Sequence, residues 1–97
     1  MIRHVVVFRW NDTVTDDHVT AMAAGLDALP AAIPQIAAYH HGVDAGLNPV
    51  NFDYAVVGDF ASVEAYIIYR DHPAHQQFIA DHITGRVADR AAAQFQF

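Results

Sequence analysis

Cysteine and lysine are both absent from this chain of 97 residues. Without cysteine the protein has no disulfide, no thiolate ligand for a metal and no cysteine nucleophile. Its only Lys or Arg cations are five arginines, set against eleven acidic residues for a net charge of −6. Because no basic stripe can follow a phosphate backbone or an anionic lipid surface, the composition argues against nucleic-acid and membrane partners.

Long apolar runs and several well-known site signatures are also missing. No stretch of about 18 apolar residues is present that could span a bilayer. The N-terminal Met1-Ile2-Arg3-His4 leads directly into a strand-like segment without the cleavage pattern of a signal peptide, so we expect a cytoplasmic protein. The chain has no glycine-rich phosphate loop, no Gly-x-Ser-x-Gly elbow and no Rossmann fingerprint, which argues against nucleotide use and serine hydrolysis.

Apolar residues, in contrast, are abundant. They make up 54% of the sequence, including six phenylalanines and four tyrosines. A chain of this length predicts a single domain, residues 1–97, with one core. A chain this small has difficulty burying so many apolar side chains in its own core, and a homodimer is the simplest way to cover the rest. A monomer with some exposed apolar surface is the alternative.

Hydrophobic spacing predicts the order strand, helix, two strands, broken helix, strand. With right-handed crossovers this order gives an α+β, ferredoxin-like fold, a four-stranded antiparallel sheet with helices on one face. Thr15 is the expected cap of the first helix, and Pro30 and Pro34 are expected to end it. The strands are predicted at Ile2–Trp10, Gln35–Val43, Phe52–Phe60 and Arg86–Phe97, the second helix from Ser62, and the third after His72-Pro73.

The first strand is apolar on both faces. Period two places His4, Val6 and Phe8 on one side and Val5 and Val7 on the other. Helices cover only one sheet face, so we expect the other, carrying His4, Val6, Phe8 or their neighbours, to pack on a second copy as a barrel. A charge at Val6 or Phe8 is then expected to unfold or aggregate the chain. In the third strand, Gly58 is expected to mark a bulge or the close approach of a ligand.

The segment Tyr69-Arg70-Asp71-His72-Pro73-Ala74-His75 places one phenol and two imidazoles around a helix start. Pro73 suits the first helical position, which leaves His72 extended and His75 in the first turn. The partial positive charge of a helix N-terminus disfavours imidazolium, and a neutral imidazole near a phenol suits proton transfer. His75 would abstract a proton next to a carbonyl while the Tyr69 hydroxyl supports the oxyanion. Alternatively, His72 only caps the helix and a Tyr–His hydrogen bond only fixes the junction.

Metal binding is a second interpretation of the histidines. His72 and His75 are three residues apart, but a metal site needs three or four ligands and His72 should point elsewhere. His40 and His41 alternate to opposite strand faces and cannot both bind one ion. We therefore expect no metal, and no cofactor.

Several segments together resemble the stress-responsive A/B barrel (Dabb) family, whose members are dimeric α+β barrels. Each segment is weak alone, but their order within 97 residues is fairly specific for the family. They are Ile2-Arg3-His4-Val5-Val6-Val7-Phe8, Leu29-Pro30-Ala31-Ala32-Ile33-Pro34, His41-Gly42, Phe60-Ala61-Ser62-Val63-Glu64-Ala65-Tyr66 and His72-Pro73-Ala74-His75 with Phe78.

The resemblance implies an internal pocket and a Tyr–His pair. A plant member of the family closes linear polyketides by aldol chemistry, and its catalytic Tyr and His fall on Tyr69 and His75. A first-strand His falls on His4, whereas another pocket His is replaced by Tyr54. The implied activity is a cofactor-independent cyclase or lyase acting on a polyketide-like or phenolic compound. A non-catalytic, stress-responsive ligand-binding module and a cofactor-free monooxygenase are the alternatives. The expected substrate-binding residues are His4, Tyr54, Val6, Phe8 and His72.

Overall fold

A computed structural model describes all of residues 1–97 and contains each of the predicted elements. None of its helices combines the length and the apolar character needed to cross a bilayer. The elements are β1 (Ile2–Trp10), α1 (Asp16–Ala32), β2 (Ile36–Val43), β3 (Tyr54–Phe60), α2 (Val63–Asp71), α3 (Pro73–His82) and β4 (Val87–Gln96).

The four strands form one antiparallel sheet in the order β2-β3-β1-β4, with the helices on one face. This confirms the ferredoxin-like fold. The register places His4 of β1 beside Gly58 of β3 and Gln94 of β4, and Phe8 beside Arg90 of β4. Side chains distant in sequence therefore meet on the face that the helices cover.

The ends of α1 show where local rules hold and where packing overrides them. Thr15 caps the helix through a reciprocal pair of hydrogen bonds with His18, as its position predicts. The predicted end at Pro30 is wrong, because α1 continues to Ala32. Proline removes one backbone donor, but the Ile33 N–H still bonds the Leu29 carbonyl and the Ile33 side chain is completely buried.

The core lies between the sheet and the helices. Phe60 packs against α2, with its ring centroid 4.8 Å from that of Tyr69 and 5.5 Å from that of Tyr66. The most deeply buried side chains are Phe60, Leu26 and Ile33. The core residues of α1 are Met22, Leu26 and Leu29, whose spacings of four and three residues place them on one face of the helix.

The face of the sheet without helices carries the neighbours of the residues first expected there. Val6 and Phe8 are buried beside α3, whereas Val5 and Val7 are half-buried on the opposite face. Assigning Val6 and Phe8 to a subunit interface is therefore wrong, since helix packing has taken that side of β1. A charge at Val6 or Phe8 would disrupt the core of one subunit. Below, "open face" means the surface around Val5 and Val7.

Gly58 makes room for aromatic rings and does not mark a bulge. A Cβ atom at this position would lie 3.0 Å from the Phe60 ring and 3.2 Å from the Tyr39 ring. The register shifts of the sheet occur elsewhere, between Ile36 and Ala38 and between Arg9 and Trp10. Gly58 therefore lets two aromatic side chains approach the backbone of β3.

Candidate functional site

A cavity of about 200 Å³ lies between the sheet and the helices. Its wall is apolar or aromatic except for the guanidinium of Arg90. Among the predicted site residues, Tyr69, Val6 and Phe8 line it, whereas His75 and His4 do not. The complete lining is Val6, Phe8, Leu26, Tyr39, Val56, Tyr69, Phe78, Ile79, Ile83 and Arg90.

Two tyrosines place hydroxyl groups in this wall. The hydroxyls of Tyr39 on β2 and Tyr69 on α2 are 2.6 Å apart and share a hydrogen bond in which either can donate. Burial raises the pKa of both phenols, that of Tyr69 to about 12. Both are therefore protonated at neutral pH. If Tyr39 donates to the oxygen of Tyr69, the Tyr69 proton is left for a ligand in the cavity.

His75 lies against Tyr69 in the first turn of α3. The two rings are stacked with their centroids 4.2 Å apart. His75 Nδ1 is 2.9 Å from the carbonyl oxygen of Arg70, and because a carbonyl only accepts, Nδ1 carries the proton. The neutral ring therefore keeps its lone pair on Nε2. This is the tautomer that a general base requires.

The pKa of His75 is lowered, the direction that the helix N-terminus predicts, but the main cause is a different one. Its pKa is lowered chiefly by burial, and the positive charge of Arg90 acts in the same direction. The alternative reading, a Tyr–His hydrogen bond that fixes the helix junction, is not realised. Tyr69 bonds Tyr39 instead, and His75 bonds the Arg70 backbone.

His4 is buried on β1 beside α2, with its ring centroid 5.1 Å from that of Tyr66. The side-chain amide of Gln94 donates to its Nδ1 at 2.8 Å, a bond that only an unprotonated Nδ1 can accept. Burial is the main reason that the pKa of His4 is lowered to about 4, and the charges of Arg90 and His75 add to it. His4 is therefore neutral at physiological pH.

This lowered pKa predicts acid sensitivity. The folded protein binds fewer protons at His4 than the unfolded chain, so its stabilising contribution is complete above pH 6.5 and is lost as the pH falls towards 4. We expect a loss of about 2 kcal/mol, since one pKa unit corresponds to about 1.4 kcal/mol and water still screens part of the ring. Urea unfolding across this range should show a shallower loss for His4→Gln than for wild type. His75 titrates in the same direction in both proteins, so identical pH profiles would contradict the assignment to His4.

Tyr54 lies outside the cavity wall, in a second polar cluster. Its hydroxyl is 2.6 Å from His41 Nδ1, and His41 Nε2 is 2.6 Å from an Asp27 carboxylate oxygen. Burial, and then the charge of Asp27, raise the pKa of Tyr54. The cluster ties β3 and β2 to α1. His40, by contrast, points to the other face and is exposed, as strand alternation predicts.

His72 has a structural role at the start of α3. Its backbone is extended, as expected before proline, and its Nδ1 accepts a hydrogen bond from the Ala74 N–H at 3.0 Å. It is absent from the cavity wall. No three His, Asp or Glu side chains lie close enough together to hold a metal ion. That the site works without a metal stays a prediction.

Two cavity residues with polar groups are missed by sequence reasoning, Tyr39 and Arg90. Tyr39 stands two positions before His41 and so shares its strand face, which is a weak signal for a site residue. Arg90 is the only cation in β4, and its alanine neighbours give no indication of a pocket. The hydrogen bond between Tyr39 and Tyr69 depends on how α2 lies across β2, which spacing along the chain does not specify.

Sequence comparison places nearly the whole chain in one family. The model of the stress responsive A/B barrel domain matches residues 2–97. An uncharacterised protein of Streptomyces coelicolor is 30% identical over 82 residues, which are 82% of this chain and 84% of that protein. A stress-response A/B barrel domain-containing protein of Arabidopsis thaliana is 28% identical over 79 residues, or 79% of this chain and 72% of that protein.

Solved structures share the fold. A dimeric ferredoxin-like protein of unknown function from Thermobifida fusca is 46% identical, with a TM-score of 0.92 over 99% of this chain and 90% of that one. A hydroxynitrile lyase from Passiflora edulis is 18% identical, with a TM-score of 0.84 over 97% and 90% of the two chains. An antibiotic biosynthesis monooxygenase is 11% identical, with a TM-score of 0.78 over 100% and 98%. At such identities the last two establish the fold alone.

Proposed function

Since this chain belongs to the stress-responsive A/B barrel family, we propose that it is a homodimeric barrel protein, one domain per subunit, that binds a small apolar molecule. The observation that carries the proposal is the cavity itself. Its wall is largely apolar, and the paired hydroxyls of Tyr39 and Tyr69 supply a small number of polar groups. Such a combination is typical of small-molecule sites.

The homodimer is supported by two observations. The relative from Thermobifida fusca, 46% identical, is a dimeric protein. In this chain no helix covers the open face, where Val5 is flanked in register by Val57 and Ala93. A second copy packed there would remove this apolar surface from water.

The reaction that this site supports is cofactor-independent proton transfer. His75 Nε2 would accept a proton from a carbon next to a carbonyl, and the Tyr69 hydroxyl would donate a hydrogen bond to the resulting enolate oxygen. Attack of the enolate carbon on a second carbonyl would close a ring, and the alkoxide formed there would take the proton back from His75. In a lyase reaction the enolate would instead expel a group from its β carbon with the bonding electron pair, and protonated His75 would give that group the proton. A polyketide-like or phenolic compound fits both the apolar wall and this chemistry.

A non-catalytic ligand-binding module is the second candidate. The observation that favours it is that Tyr69 and His75 are each already hydrogen-bonded within the protein and not to one another. Two phenols and an imidazole could then orient a ligand without reacting with it. A cofactor-free monooxygenase is a weaker third candidate, supported only by the fold that the chain shares with such an enzyme.

A thermal-shift screen of wild type, Tyr69→Phe and His75→Ala tests the binding proposal. The library holds phenols, polyketide mimics, short acyl compounds and divalent metals, and a ligand of the native state raises the melting temperature. We expect a wild-type hit to bind about tenfold more weakly to either variant, the usual effect of losing one hydrogen bond. The matched control is Glu64→Ala, which truncates an exposed side chain of α2 that does not line the cavity. Equal stabilisation of all four proteins would place the ligand elsewhere.

Turnover then separates the candidate functions. Each hit is incubated with the protein and assayed for product and for oxygen consumption. Product that disappears in His75→Ala supports the cyclase or lyase, since loss of a general base typically costs about 10²–10⁴ in rate. Tight binding without product supports the ligand-binding module, and consumption of oxygen supports the monooxygenase.

A further inference from the structure

Arg90 differs from the other arginines of the chain. Its side chain forms no hydrogen bond or ion pair within the protein, although its backbone N–H donates to Asp89. The other four arginines all have partners: Arg3 pairs with Asp59, Arg9 lies over Phe52, Arg70 pairs with Asp71, and Arg86 bonds Thr13.

The guanidinium lies at the wall of the cavity. Arg90 stands opposite Phe8 in the register of β1 and β4, on the sheet face that the helices cover. It is the one charged residue among those that line the cavity. Its positive charge adds to the lowering of the His4 and His75 pKa values and opposes the rise that burial produces in the pKa of Tyr69.

We propose that Arg90 binds a carboxylate of the cavity's ligand, which makes the ligand a small carboxylic acid whose aromatic or aliphatic body lies beside Tyr69. This inference rests on the proposed function and specifies its substrate class. A guanidinium presents a planar fork of donors that matches a carboxylate in bidentate fashion. No acidic side chain lines the cavity, so none there competes with a ligand for the guanidinium. The carboxylate of the neighbouring Asp89 accepts a hydrogen bond from the Arg90 backbone N–H.

The size of the cavity agrees with such a ligand. A cavity of roughly 150 Å³ holds a benzene ring, and this one is larger, at about 200 Å³, with Arg90 in its wall. A monocyclic aromatic acid could therefore place its ring among Val6, Phe8 and Phe78 and its carboxylate at Arg90. The protein's net charge of −6 repels anions in general, so a preference for an acid would depend on this single cation.

The test is calorimetric titration with hydrocinnamate and with its neutral isostere, hydrocinnamide. We expect wild type to bind the carboxylate about tenfold more tightly than the amide, the size of effect that a charged hydrogen bond at a partly exposed site supplies. Arg90→Ala should lose this preference while still binding the amide, and Arg90→Lys should keep part of it. The matched control Arg70→Ala removes an exposed guanidinium outside the cavity wall and should leave the preference unchanged.

The outcomes separate the two proposals. Equal affinities in wild type, or a preference that survives in Arg90→Ala, would overturn the carboxylate site and leave the small-molecule function standing. Failure of wild type to bind hydrocinnamate would also overturn the carboxylate site, whereas the proposed small-molecule function fails only if the thermal-shift screen finds no ligand that depends on Tyr69 and His75. If Arg90→Ala does not fold, Arg90→Gln, which keeps the length of the side chain without its charge, takes its place in the comparison.

Discussion

Gly58→Val is expected to destabilise the protein by about 3 kcal/mol, because overfilling a packed core costs 1–3 kcal/mol and occasionally more. Even a Cβ atom would lie 3.0 Å from the Phe60 ring and 3.2 Å from the Tyr39 ring, and valine adds two methyl groups beyond it. Phe60 is completely buried and packs against Tyr69 of α2, so it has little freedom to move away. Urea unfolding of the variant measures the loss.

Gly42→Val is the matched control. Gly42 also lies in a strand, but no atom of its own subunit approaches within 4 Å of the Cβ position there, so valine should cost the subunit itself little. Because Gly42 pairs with Ala55 beside Val7 on the open face, the assembly of this variant is measured as well. Gly58→Val should also weaken ligand binding, because moving the Tyr39 ring breaks its hydroxyl contact with Tyr69. Similar effects of valine at the two glycines would mean that the contacts around Gly58 do not constrain the chain.

Local sequence patterns predict the helices and strands of the fold, and the order of these elements is enough to predict the topology. The bounds of β1 follow from its Val and aromatic residues, and the break between α2 and α3 follows from His72-Pro73. The order of elements and right-handed crossovers then leave few arrangements. Pro30 shows the limit, because Ile33 gains enough by burial to keep the helix going past a residue that normally ends one.

The sequence predicts the proximity of candidate site residues only where they are close along the chain. Tyr69 and His75 belong to one segment, so their proximity could be inferred from the helix break alone. Tyr39 and Arg90 reach the cavity only through the packing of α2 on β2 and the register of β4, and no periodicity encodes either. Tyr54 shows the converse, since His41 and Asp27 hold it in a separate cluster that the sequence does not reveal.

The two faces of β1 illustrate the same difficulty. Because both faces are apolar, alternation separates Val6 from Val5 without showing which of them the helices cover. In the structure Val6 lines the cavity with residues of α3, and Val5 is left on the open face. Tertiary packing thus decides which side of the sheet is available for a partner. It also decides which residue of β1 must be replaced by a charged one to test the dimer.

Val5→Asp is expected to convert the proposed dimer to monomers and to lower its stability by about 4 kcal/mol, the scale of burying an unpaired polar group or charge. Val5 is flanked on the open face by Val57 and Ala93, so a partner packed there would surround the carboxylate with apolar groups. Analytical ultracentrifugation measures the assembly, and urea unfolding at two protein concentrations measures the linked stability.

Two further aspartate substitutions serve as controls for Val5→Asp. In a lone subunit Val5 is half-exposed, so a carboxylate there would cost little, and a large loss arises only if a partner covers the face. Val6→Asp enters the core of one subunit and should unfold the chain in either case. Val63→Asp, at a residue of α2 that is 51% exposed, should change neither assembly nor stability. A monomeric wild type, or a Val5→Asp protein as stable as Val63→Asp, would therefore contradict the barrel formed by two copies.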